Sequence, residues 1–130
     1  MILVDSSVWI DYFKGVPTPQ TDMLDLLLGY EPILIGDLIL LEVLQGFSKQ
    51  SDFNKAQELL GELEAIELGG IEIARKGAQY YRKLRAKGIT VRKTMDVVIA
   101  ARCIENKLEL LHDDRDFLPF TEHFGLRTLL

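Results

Sequence analysis

The chain is poor in several things, and each shortage removes a class of protein. A single cysteine, Cys103, has no partner within the chain, so no internal disulfide forms and a reducing cytosol is the expected compartment. Its place among Val98, Ala101 and Ile104 predicts a small buried side chain. No uncharged apolar stretch approaches the ~18 residues of a membrane span, and the start Met1-Ile2-Leu3-Val4-Asp5 lacks the basic and long apolar regions of a signal peptide. Neither secretion nor membrane anchoring is expected. Repeats, low-complexity tracts and linkers are also missing. Acidic residues are absent from Arg75 to Lys93, where eight basic residues (Arg75, Lys76, Arg82, Lys83, Arg85, Lys87, Arg92, Lys93) fall within 19 positions and hold over half of the 15 Lys and Arg. The net charge of −5 argues against a polyanionic partner only on average. Two readings of that basic strip stand side by side. Either it faces phosphates, with Tyr80 and Tyr81 able to stack, or it solvates the outside of a helix whose Ile73, Ala74, Gly77, Ala78, Tyr81 and Leu84 pack inward.

What is present describes one folded unit. With 130 residues, 48% hydrophobic content and mean hydropathy +0.10, the chain can bury a core as a single domain over residues 1–130. Short β-like runs alternate with helical patterns, which predicts an α/β fold in three layers with a mainly parallel sheet. Strands are expected at Ile2–Val4, Ile33–Ile35, Leu108–Leu111 and Arg127–Leu130, the last at an edge. Helices are expected over Trp9–Phe13, from a Thr21 or Asp22 cap to Leu28 with Gly29 as the stop, and over Leu38–Phe47 behind an Asp37 cap. In that third helix Leu40, Val43, Leu44 and Phe47 mark the buried stripe. Ser48–Asn54 reads as a loop, Lys55–Leu63 and Ile71–Lys87 as a helical hairpin, and Met95–Asn106 as a helix capped by Thr94.

Five acids lie where such a fold gathers side chains: Asp5, Glu42, Asp96, Asp114 and Asp116. Asp5 closes the run Ile2-Leu3-Val4, Asp96 opens the apolar pattern Val97 to Ile104, and Asp114 and Asp116 follow Leu110-Leu111. In a parallel sheet, ligands bind beyond the carboxyl ends of the strands, where the strand order reverses. Carboxylates crowded there repel one another unless a cation answers them, and an all-oxygen donor set suits Mg²⁺ or Mn²⁺. Each acid also has a plainer role. Asp5 and Asp116 can cap helices, Asp96 can complement a helix N-terminus, and Glu42 and Asp113 can simply be solvated.

Taken together, Asp5-Ser6-Ser7-Val8-Trp9-Ile10, Glu42-Val43-Leu44-Gln45-Gly46, Arg92-Lys93-Thr94-Met95-Asp96-Val97-Val98-Ile99-Ala100-Ala101 and Leu110-Leu111-His112-Asp113-Asp114-Arg115-Asp116-Phe117 resemble the PIN-domain ribonucleases, specifically the VapC-type toxins. The resemblance covers the whole chain. It implies a Mg²⁺- or Mn²⁺-dependent endoribonuclease that cuts RNA, commonly tRNA or rRNA, by metal-activated water. It also implies neutralisation by a VapB-type antitoxin and a homodimer. Asp5, Glu42, Asp96 and Asp114 fall on the family acids, with Asp116 matching a further acid before the frequent Phe, so that either Asp114 or Asp116 is the closer metal ligand. Ser7 matches a family hydroxyl near the site, and His112 stands where many members have Thr. Arg82, Lys83, Arg85, Lys87, Arg92 and Lys93 are the candidate RNA contacts. Antitoxin would lie in a groove between the early helices, for which Trp9, Phe13, Leu26, Leu27 and Phe47 are candidates, as they equally are for the core. Two other readings are open. A receiver-type phosphoacceptor needs an Asp at the end of a central strand, whereas Asp52 falls in the expected loop. A non-catalytic PIN-like binding protein would keep its acids as caps.

Overall fold

The computed structural model describes residues Met1–Leu130. Five short strands, β1 (Ile2–Val4), β2 (Ile33–Gly36), β3 (Glu64–Ile66), β4 (Glu109–Leu111) and β5 (Arg127–Leu129), form one sheet in the order β3-β2-β1-β4-β5. Every pairing is parallel, with Leu3 opposite both Leu34 and Leu110. The two central neighbours of β1 explain its composition: Ile2, Leu3 and Val4 are buried on both faces, as an apolar run in a covered parallel sheet must be. Seven helices supply the cover. These are α1 (Ser6–Lys14), α2 (Pro19–Leu27), α3 (Asp37–Gln45), α4 (Gln50–Gly61), α5 (Ile71–Ala86), α6 (Thr94–Asn106) and α7 (Leu118–Phe124), the last preceded by one 3₁₀ turn at Arg115–Phe117. α1 packs on α2 and α3, α3 on α4, and α5 on α6. A cluster of 25 buried apolar residues runs through these layers.

The three-layer parallel α/β expectation matches this architecture, while several local readings are corrected. The first helix begins at Ser6, because Asp5 caps it, three residues before Trp9. Thr18 caps α2 and exchanges hydrogen bonds with Thr21 in a capping box, so Thr21 lies inside the helix. Asp37 is the first residue of α3 behind Gly36, and the buried residues of that helix are Ile39 and Val43; Leu40, Leu44 and Phe47 are half-buried. α4 starts at Gln50, within the expected loop. Thr94 is likewise the first helical residue of α6, behind Lys93. The expected hairpin does not exist: β3 intervenes, and α5 turns away to lie along α6.

Leu68 anchors the β3–α5 connection. Its amide donates to Asp37 Oδ1 at 3.0 Å, its carbonyl accepts from Arg102 Nε at 3.0 Å, and its side chain is fully buried over Gly36. On α6, Cys103 is buried as expected, and burial pushes its thiol up to about 12, which makes it inert.

Candidate active site

The order β3-β2-β1-β4-β5 reverses direction between β1 and β4, and the carboxyl ends of those two strands lie side by side. The Asp5 amide extends their ladder by donating to the Leu111 carbonyl at 2.9 Å. Whatever follows β1 and β4 is therefore placed at the switch point, where α/β folds bind ligands. β1 delivers Asp5-Ser6-Ser7, and β4 delivers His112 to Asp116. α6 begins beside them and brings Asp96 in its first turn.

Carboxylate oxygens of Asp96, Asp114 and Asp116 lie within 4.8 Å of one another. Asp5 and Asp96 are each only 4% exposed, so two acids are set into the edge of an apolar core. Asp5 lies outside the trio but near enough that its charge adds to the repulsion felt by Asp96. Glu42 is not among the clustered oxygens; its Oε1 accepts a hydrogen bond from Ser6 Oγ at 3.2 Å, which ties α3 to the start of α1. Asp5 has two functions at once. Its Oδ2 accepts from the Ser7 hydroxyl at 2.6 Å and from the Ser7 amide at 3.3 Å, capping α1 while its carboxylate stays at the sheet edge.

The last loop is held by its own hydrogen bonds. Asp114 Oδ1 accepts from the Asp116 amide at 2.9 Å and caps the 3₁₀ turn, so the capping role belongs to Asp114 and not to Asp116. His112 Nδ1 accepts from the Asp114 amide at 3.1 Å, which places its proton on Nε2, and its ring packs on Phe117 at 4.8 Å. Burial lowers the His112 pKa against the pull of Asp5 and Asp114, so the ring is neutral.

Two basic side chains point into the cluster. Lys93 Nζ lies 3.2 Å from Asp114 Oδ2 and 3.7 Å from Asp96 Oδ2, and Arg92 reaches both oxygens of Asp116 at 3.2 and 3.3 Å. Arg82, Lys83 and Arg85 are exposed on the C-terminal part of α5, and Lys87 is exposed just beyond it. Charges of the acids differ accordingly. Burial pushes Asp96 up to about 6, with Lys93 opposing and Asp5, Asp114 and Asp116 reinforcing. Burial also disfavours ionised Asp114, but the Asp116 amide and the Lys93 ammonium outweigh it and hold that carboxyl below the usual range.

A divalent cation fits this donor set on one observation above all. Asp96 Oδ2 is inaccessible to water and makes no hydrogen bond, the Lys93 ammonium at 3.7 Å being too far for one. A buried carboxylate oxygen without a hydrogen-bond partner, beside two further carboxylates and met only by the Lys93 ammonium at ion-pair distance, suits a divalent cation.

A PIN-domain family model matches residues 2–120. The chain is a PIN-domain protein. Among PIN proteins it is 30% identical over 119 residues to ribonuclease VapC11 of Mycobacterium tuberculosis, covering 90% of this chain and 89% of that one. Its fold matches VapBC2 from Rickettsia felis, solved bound to a DNA fragment from its promoter, with TM-score 0.77, 19% identity and coverage of 99% and 98% of the two chains. A toxin–antitoxin complex from Klebsiella pneumoniae matches with TM-score 0.71, 20% identity and coverage of 100% and 97%. These likenesses dispose of the receiver reading, as does Asp52, which is an exposed residue of α4 and ends no strand.

The partner of Glu42 escaped the sequence reading, which singled out Ser7 from the Ser6-Ser7 pair. Helix geometry carried the signal: Asp5 as cap turns Ser7 back onto Asp5 and leaves Ser6, the first helical residue, to face α3. Trp9, a candidate for groove and core alike, is fully buried and stacks on Phe13 at 5.9 Å, so it belongs to the core.

Proposed function

We propose that this PIN-domain chain is a metal-dependent endoribonuclease, the toxin of a VapBC-type pair, hydrolysing RNA phosphodiesters at the β1–β4 edge. The unpartnered, buried Asp96 Oδ2 amid Asp114 and Asp116 carries the reading. Asp96, Asp114 and Asp116 would hold Mg²⁺ or Mn²⁺, with Asp5 beside them and Glu42 at the rim. When bound, the ion supplies positive charge against the scissile phosphate and makes water a competent nucleophile at neutral pH. The protein's own groups position the ligands. Ser7 fixes the Asp5 carboxylate, Ser6 fixes Glu42, and neutral His112 fixes the backbone of Asp114. Arg82, Lys83, Arg85 and Lys87 offer phosphate contacts along the emerging strand, with Arg92 and Lys93 nearer the cut. The two histidines are a poor basis for metal-free cleavage, since half-buried His112 accepts a hydrogen bond from the backbone and His123 stands on a different element, α7.

Like the toxins it resembles, the chain would work in the cytoplasm as a homodimer held silent by a VapB-type antitoxin. A groove of about 450 Å³ between α1, α3 and α4, lined by Ile10, Phe13, Val43 and Phe47, suits the apolar side of an amphipathic antitoxin segment, with Lys14 and Lys55 at its rim. Leu26 is 71% exposed on the neighbouring α2.

End-labelled total tRNA incubated with the protein and Mg²⁺ should be cut to fragments bearing 5′ phosphate and 3′ hydroxyl. EDTA, or the Asp96→Asn substitution, should abolish the cuts. Cleavage that survives EDTA or leaves a 2′,3′-cyclic phosphate would refute the metal mechanism. Metal bound without cleavage of tRNA or rRNA would favour the non-catalytic PIN-like reading.

A further inference from the structure

Lys93 stands at the N-cap of α6, where its backbone is fixed by the Asp96 amide donating to its carbonyl at 3.1 Å. Its side chain is 60% exposed, yet its ammonium reaches Asp114 Oδ2 at 3.2 Å and lies 3.7 Å from Asp96 Oδ2, on a side chain only 6% exposed. The two acids it reaches belong to the same trio that would hold a divalent ion, and buried Asp96 Oδ2 has no hydrogen-bond partner. A compact ammonium on a four-carbon stem suits this place. It delivers one positive charge to two carboxylates and can leave by rotating its own side chain, with no packed element to move. Arg92 differs in kind: its guanidinium is 76% exposed and engages Asp116 alone.

We propose that Lys93 is an exchangeable internal cation: it occupies the carboxylate oxygens that a divalent ion takes, and when displaced it turns outward to bind the phosphate backbone of RNA. This rests on the metal-dependent reading of the site. An ammonium and a divalent ion repel each other and compete for the same two carboxylates, so they cannot share the position. The exchange keeps the cluster compensated throughout. It also makes metal loading and phosphate binding two consequences of one side-chain movement.

Titration calorimetry of the full chain with Mn²⁺ alone tests the competition, and Michaelis kinetics on an RNA substrate test the outward role. Lys93→Met should bind Mn²⁺ about tenfold more tightly than the wild type while raising KM for RNA. Lys93→Arg, which keeps a cation, should lie close to wild type in both. Lys87→Met, which removes one charge from a residue that pairs with none of these acids, should change Mn²⁺ affinity by less than about twofold at physiological salt. A merely structural lysine would not move the two affinities in opposite directions. Unchanged or weaker Mn²⁺ binding by Lys93→Met, with the wild type binding normally, overturns the proposal and leaves the metal-dependent reading standing. Absence of Mn²⁺ binding in every variant overturns both. Should Lys93→Met fail to fold by circular dichroism, Lys93→Gln is read by the same criteria.

Discussion

Asp96 is a residue placed against its own preference. Its raised pKa, about 6 against 3.8 in an open chain, means that folding favours its protonated form. The sign follows from linkage. The folded chain holds this proton more tightly than the unfolded one, so the stabilising contribution is complete below about pH 4 and is lost as pH rises through about 6. Asp96→Asn should therefore stabilise the protein in EDTA at pH 7 by on the order of 2 kcal/mol, read as a higher urea midpoint, and the gain should vanish at pH 4. A destabilised Asp96→Asn protein at pH 7 would show that the Lys93 ion pair outweighs the cost of burying the charge. Ser6→Ala frees Glu42 from its one hydrogen bond. It should cost about 1 kcal/mol in stability and lower kcat for RNA more than it raises KM, measured by steady-state cleavage. The acids were visible in the sequence because a carboxylate after an apolar run is conspicuous. The Ser6–Glu42 contact, across 36 residues, was not, because it depends on how α1 and α3 are set against each other.

Among the elements, β3 shows where pattern reading stops. Glu64, Ala65 and Ile66 are at the sheet edge with little burial, so neither an apolar run nor an alternation marks them as a strand. β1, β2 and β4 are buried on both faces and stand out for that reason. The helices α5 and α6 were legible from their periodicity, whereas their mutual packing was not, because the strand between α4 and α5 redirects the chain. Gly36 records that redirection. A Cβ at this position would meet the buried Leu68 side chain at 2.6 Å. Gly36→Ala should destabilise the protein by about 1–3 kcal/mol, seen in urea unfolding. Leu68→Ala in the same chain should relieve the clash, so that the double variant is more stable than the sum of the two single effects.

For the whole molecule, the uneven charge matters more than its total. Exposed Arg82, Lys83, Arg85 and Lys87 belong to a chain of net charge −5, so binding to RNA should respond locally to these four residues. Their joint replacement by Gln should reduce the slope of log affinity against log salt by ~0.7 for each lost phosphate contact, followed by filter binding from low to physiological salt. An unchanged slope would return these residues to the role of solvating α5. Length and composition already limited the molecule to one domain, the alternation of apolar runs with helical patterns pointed to a covered parallel sheet, and the order of motifs singled out its candidate edge. Which basic residues face that edge came only with the fold, since Arg92 and Lys93 lie against the acids while their neighbours in sequence do not.

The central position of β1 has a consequence for how the chain is made. Synthesis delivers the middle strand first, but its second neighbour, β4, arrives only at Glu109–Leu111, and the acid cluster closes only when Asp114 and Asp116 emerge. A nascent chain held on the ribosome before residue 109 has Asp96 but lacks the strand β4 and the loop after it that set Asp114 and Asp116 beside this acid. A nuclease built in this order lacks its complete acid cluster until residue 116 has been made and has left the ribosome.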